Sequence, residues 1–200
     1  MTKSVHLTKA QQREATMTKL IQIARDSFTR DGYANASTEE IVQQAGVTRG
    51  ALYHHFGSKE GLFQAVLASV QADVGRRVEA RSNQTTDIWE QLIGGCIAFL
   101  EASLDPQVQR IMLIDAPAVL GWELWRELDA QHSMASLREV LSELMDVGRI
   151  VKLPLMALTQ LLSGAMNEGA LWIAQSDNPH QSLQEASETL IYLIQSLQKK

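Results

Sequence analysis

Apolar residues in this chain recur every three or four positions almost from end to end, and no segment shows the convincing alternation of a half-buried strand. Met17, Leu20, Ile21, Ala24 and Phe28 form one such face. Leu62, Val66, Val70 and Val74, with Phe63 and Leu67 beside them, form a longer one that reaches about Arg81. The periodicity restricts the chain to an all-α fold. Its 200 residues fit a small domain joined to a larger one. The expected division is a three-helix head at 1–60 and a helical body at 61–200, linked by the long helix.

Start and stop signals set the helices apart. Gly32 ends the first. Ser37 is an N-cap type with Glu40 three positions on, the pattern of a capping box. A helix over 38–45 then buries Ile41, Val42 and Ala45 and stops at Gly46, and the next runs over about 48–55. After a loop at "SNQTT", Asp87 opens a helix through about Leu104. Asp105-Pro106 and Asn178-Pro179 each set a capping residue before a proline at the first helical position, and Pro154 is expected to play the same part. One long helix, irregular near Gly121, follows Pro117, and the last two helices span about 154–176 and 179–198.

Two short helices joined by a tight glycine turn make a helix-turn-helix, whose second helix enters the DNA major groove. Here that helix begins Thr48-Arg49-Gly50-Ala51. Thr48 can cap it, and its hydroxyl and the unbonded N–H groups of the first turn can hold a phosphate. Arg49 can fork onto guanine O6 and N7. Gly50 admits close approach to the groove wall, and Ala51 is small enough to touch a thymine methyl. Tyr53, His54 and Lys59 carry phosphate donors, while Val47, Leu52 and Phe56 turn toward the head's core. Tyr53 as core, and Lys59 with Glu60 as a solvated helix start, are the competing readings. His54 and His55 are adjacent on a helix and diverge by about 100°, which rules out chelation by the pair; no metal or other cofactor is expected. Charge agrees: residues 1–63 hold eight Lys/Arg against six Asp/Glu, within a chain of net charge -5. Lys3, His6, Lys9 and Arg13 form either a DNA arm or a frayed terminus.

The stretch "ARDSFTRDGYANASTEEIVQQAGVTRGALYHHFGSKEGLF", within residues 15–63, resembles the DNA-binding head of the tetracycline-repressor family of bacterial transcription regulators. The Phe28…Gly32-Tyr33 ending, Thr38, "AGVTRGALYHHF" and Lys59-Glu60 carry the likeness. It implies DNA contacts from Thr38, Thr48, Arg49, Gly50, Tyr53, His54 and Lys59, with His55 partly packed and partly at the backbone. It further implies a homodimer on a palindromic double-stranded DNA operator, repression as the default, and a small-molecule effector held in the body.

By the same resemblance the last two helices pair with their copies. Leu158, Leu162, Ala165, Met166 and Gly169 on one, and Leu190, Leu193, Ile194 and Leu197 on the other, are the expected interface, with an intrachain core as the alternative. Phe99, Arg110, Met112, Trp122, Met166 and Asn167 are the candidate effector contacts, with Arg110 and Asp115 as a structural pair the other reading of that arginine. An enzyme is not expected: the chain has no glycine-rich phosphate loop, metal-ligand cluster or nucleophile motif. Asp129 with His132 reads as a helix-surface pair. A helical adaptor or ligand-binding protein without DNA-directed function would leave the Thr48–Lys59 pattern without a reason. With one cysteine, Cys96, no apolar run of ~18 residues and no signal-peptide centre at the N-terminus, a cytoplasmic protein that does not enter membranes is expected.

Overall fold

The computed structural model describes residues 8–199, apart from the side chains of residues 129–133. Lys3, His6 and the Asp129–His132 pair therefore lie outside the described residues. The described chain is helical with no strand; its one isolated bridge joins Ile150 and Gln198. Nine α-helices follow one another: α1 (Lys9–Asn35), α2 (Thr38–Ala45), α3 (Arg49–Phe56), α4 (Lys59–Ser82), α5 (Ile88–Ala102), α6 (Ala116–Leu120), α7 (Trp122–Asp146), α8 (Leu155–Gln175) and α9 (Pro179–Gln195), with a π-helix (Val108–Asp115) before α6. The residues form two compact units that part between Ser69 and Val70, so α4 contributes its first half to one and its second to the other.

The first unit is built by the signals its sequence carries. Gly32 adopts a positive φ and breaks the helical path of α1, as the sequence requires. Ser37 accepts from the Glu40 N–H (3.4 Å) at the start of α2. Gly46 closes α2 in the left-handed region, where a Cβ is strained, and so sets the angle to α3. Leu20, Ala24, Phe28, Ile41, Leu52, Leu62, Phe63, Val66 and Leu67 are fully buried and form the core. Phe63 meets Phe28 and the half-buried Tyr33 edge to face, and Phe28 and Tyr33 are tilted against each other, with ring centroids 5.0–5.8 Å apart.

In the second unit, α5 is covered by α7, α8 and α9. Asp87 caps α5 by accepting from the Trp89 and Glu90 N–H groups (2.8 and 3.2 Å) and also pairs with Arg149 (2.8 Å). Arg149 foremost, then these N–H groups, hold its carboxyl below the ordinary range. Asn178 caps α9, which opens on Pro179 as expected. Pro154 differs: it stands at the N-cap position itself, with extended ψ, and α8 begins one residue later. Gly121 separates α6 from α7 at φ 80°.

The π-helix was not foreseen. Its widened turns bond each N–H five residues back, as in Ala116 N–H to Ile111 C=O. Five residues apart lie about 140° around an α-helix but considerably closer in angle in the wider turns of a π-helix. That geometry brings Arg110 Nε within 3.2 Å of Asp115 Oδ2, the structural pair anticipated as one of two readings.

Candidate nucleic-acid interface

Thr48 caps α3 by accepting from the Ala51 N–H (3.2 Å), so the first turn of the helix is fixed by the residue that also fronts it. Thr48, Arg49, Gly50 and His54 are exposed, and Ala51 is half-buried behind them. Arg49 and Tyr53, one turn apart, act as a unit. The guanidinium lies 5.5 Å from the Tyr53 ring centroid, and its Nη2 donates to the Tyr53 hydroxyl (3.4 Å). Arg49, ahead of a hydrogen bond with Thr38, lowers the Tyr53 hydroxyl pKa and makes it a better donor. The chain Thr38–Tyr53–Arg49 thus ties α2 to the outer face of α3 and restricts the arginine's rotamers before any DNA arrives, which reduces the entropy lost on contact.

The other expected contacts are placed differently. Lys59 donates to the Ala34 carbonyl (3.4 Å) and lies 4.7 Å from the Tyr33 ring centroid, and burial lowers its pKa. It ties the end of α1 to the start of α4, a role that depends on a residue 25 positions back. His55 is half-buried with Nδ1 enclosed and without a hydrogen-bond partner; burial, then His54 and Arg13, lowers its pKa. Leu52 is in the core, but Val47 and Phe56 are only half-buried. Gly61 carries no signal in the sequence pattern but has a fixed place in the fold. A Cβ there would fall well inside contact distance of the Phe56 carbonyl oxygen, so the end of α3 can seat on α4 only against a glycine.

In the body the expected interface stripe divides. Leu158, Leu162, Met166, Leu190 and Ile194 are buried within the chain itself, so they offer a partner little surface. Periodicity identifies a covered face without saying what covers it. Ala165 and Leu193 are exposed, and Gly169 and Leu197 are half-exposed. Leu161 and Tyr192 (each 73% exposed) and Trp172 add apolar surface on α8 and α9. A Cβ at Gly169 would come to 3.4 Å from the Leu100 side chain of α5, at the edge of ordinary contact.

Of the expected effector contacts, Trp122 and Asn167 line one cavity of about 410 Å³ bounded by the π-helix, α6, α7 and α8. Trp125, Arg126, Gly164 and Glu168 line it as well. Phe99, Met112 and Met166 are buried in the core and are not among its lining residues, and Arg110 is taken up with Asp115. Trp125 and Arg126 were not among the expected effector contacts.

An exposed recognition helix, capped and seated on a small three-helix core, and joined by a continuous helix to an all-helical body, defines a helix-turn-helix DNA-binding protein with a separate C-terminal domain. Residues 20–66 match the model for bacterial regulatory proteins of the tetR family, and residues 89–197 match that for the tetracyclin repressor-like C-terminal domain. The chain belongs to the TetR family of transcriptional regulators, a family of DNA-binding proteins rather than enzymes. It is similar to a TetR-family transcriptional regulator from Pectobacterium atrosepticum of known crystal structure, at 36% identity and a TM-score of 0.83, over 97% of this chain and 99% of that one. The TetC protein of transposon Tn10 from Escherichia coli is 24% identical over 76% of each chain. The regulator SrpR of Pseudomonas putida is 35% identical over 49% of this chain and 44% of its own length.

Proposed function

We propose that this regulator binds a palindromic operator as a homodimer and is released from it by a small molecule taken up in the C-terminal domain, so that it represses transcription by default. The exposed, pre-stacked Arg49–Tyr53 pair on the capped recognition helix is the observation that carries the reading. An arginine at that position forks onto guanine in the major groove, and the tyrosine, Thr48 and the first-turn N–H groups meet the phosphates that fix its register. Two heads address successive major grooves only about 34–36 Å apart, which makes a two-fold dimer and a palindrome the matching solution. The apolar residues left exposed on α8 and α9, Leu161, Ala165, Trp172, Tyr192 and Leu193, support that pairing. Helix α4 runs unbroken from the head into the body and is the element on which an effector would act.

The corresponding functional division is a DNA-binding domain at 1–60 and an effector and dimerisation domain at 61–200. A cytoplasmic location follows from work on DNA. No described helix is long and apolar enough to cross a membrane.

Selection of randomised duplex DNA by the full-length protein tests the reading. The expected result is an enriched palindrome bound at two protomers per site, with affinity falling steeply as salt rises. Loss of that binding in Arg49→Ala/Tyr53→Ala with unchanged helicity assigns it to α3. An equal pull-down of all sequences by both proteins would overturn the proposal.

A further inference from the structure

The cavity beside the π-helix has a composition that narrows what can fill it. Its 410 Å³ lies toward the small end of ligand sites. Two indoles from α7 face it, with ring centroids 5.0 Å apart and planes inclined at 45°. Trp125 is fixed: it is buried and its Nε1–H donates to the Met112 carbonyl of the π-helix (3.1 Å). Trp122 is different. It opens α7 immediately after the Gly121 break and is 66% exposed, although it is the largest kind of apolar side chain the chain has. Across from the indoles, α8 presents Gly164, and a Cβ built there would meet no atom within 4 Å. A slot therefore lies between an aromatic wall and bare helix backbone, and a flat ring is the shape that fills it.

The polar groups set the ring's substituents. The Arg126 guanidinium stands 6.0 Å from the Trp122 ring centroid and is steadied by a bond to Gln160 Oε1 (3.1 Å). A guanidinium pairs with a planar carboxylate through two parallel N–H···O bonds, and its positive charge opposes an aromatic cation in the same slot. Asn167, itself buried, and Glu168 line the cavity from α8 and can accept from a hydroxyl. We propose that this cavity binds a planar aromatic acid, the ring between Trp122 and Gly164, the carboxylate on Arg126 and a ring hydroxyl toward Asn167 and Glu168. The proposal rests on the reading above that the C-terminal domain takes up a small-molecule effector.

Titration of the full-length protein with 4-hydroxybenzoate, benzoate, salicylate and 2-naphthoate, followed by tryptophan fluorescence and calorimetry, tests it. At least one acid is expected to saturate the signal. Cyclohexanecarboxylate, which is not flat, and benzyltrimethylammonium, which carries the opposite charge, are each expected to bind at least about tenfold more weakly. Trp122→Ala removes an exposed ring, Arg126→Met keeps the stem without the charge, and Gly164→Leu fills the slot while improving helix propensity. Each should weaken the acid at least about tenfold with helicity and melting temperature kept. No saturation by any acid up to about 10 mM overturns the proposal. So does benzyltrimethylammonium binding as tightly as the best acid, or wild-type affinity in all three variants. Operator release is read separately on labelled DNA. Acids that bind through Trp122 and Arg126 without releasing DNA uphold the site and refute effector control by it. Release by another class of compound, unaffected in the three variants, refutes the site and leaves effector control standing.

Discussion

Gln71 of α4 is 3% exposed, and neither its Oε1 nor its Nε2 has a hydrogen-bond partner. A buried polar group left unsatisfied costs about 1–3 kcal/mol, whereas an apolar side chain of similar size in its place costs nothing of the kind. Gln71→Leu should therefore stabilise the protein by about 1–3 kcal/mol. At roughly 2–4 °C per kcal/mol for a chain of this length, the melting temperature should rise by roughly 2–12 °C. Urea unfolding followed by circular dichroism measures it, the expected result being a higher midpoint at unchanged slope. Gln71→Ala serves as the control for volume and should lose stability through the cavity it leaves. A fall of more than about 1 kcal/mol in Gln71→Leu would refute the reasoning, because it would mean that the amide is satisfied in solution. Orphaned polar groups collect at positions that bind or move, and α4 joins the two units. On the effector release proposed above, the leucine variant is expected to need more effector to leave its operator.

Gly61→Ala should destabilise the head despite the better helix propensity of alanine, since the new methyl meets the Phe56 carbonyl; a lowered melting temperature with loss of operator binding is the expected pair of results. Arg49→Ala should cost about 1–3 kcal/mol on the selected operator and much less on random duplex, as measured by fluorescence anisotropy. His55 predicts a pH effect. Its pKa is held below the ordinary value of about 6.5, so the unfolded chain takes up the proton first as pH falls. Stability is thus full above about 6.5 and declines as pH drops from there through the lower folded pKa; His55→Asn should flatten urea midpoints taken across that interval. Asp87→Ala should lower stability through loss of the α5 cap and of the Arg149 pair, read by the same unfolding assay.

The head was legible because its instructions are local. Ser37 and Gly46 bracket α2, and Thr48 and Gly57 bracket α3, through contacts within a few residues of each end. Lys59 and Gly61 were not legible in the same way. The first is engaged by Tyr33 and Ala34, and the second is dictated by the Phe56 carbonyl, contacts that exist only once the helices have met. The π-helix was hidden because eight residues are too few for the apolar spacing of "VQRIMLID" to separate wide turns from ordinary ones. Along α8 and α9 the periodic stripe was real, yet Leu158 and Ile194 turned out to face the chain's own core while Tyr192 faced outward. Hydropathy alone ranks a tyrosine below a leucine, which is why Tyr192 was not in the expected stripe.

The lone thiol has a practical side. Cys96 sits in the middle of α5, 4% exposed, and burial pushes its pKa up to about 12. At pH 8 only about one molecule in ten thousand would carry the thiolate that maleimides and iodoacetamides attack. The native chain is thus close to silent toward such reagents, and a cysteine introduced at exposed Gln43 would be labelled nearly alone. In the homodimer proposed above, a spin label or fluorophore at this α2 position on each protomer would then report the separation of the two DNA-binding heads, with and without an aromatic acid, with no need to remove the natural cysteine first.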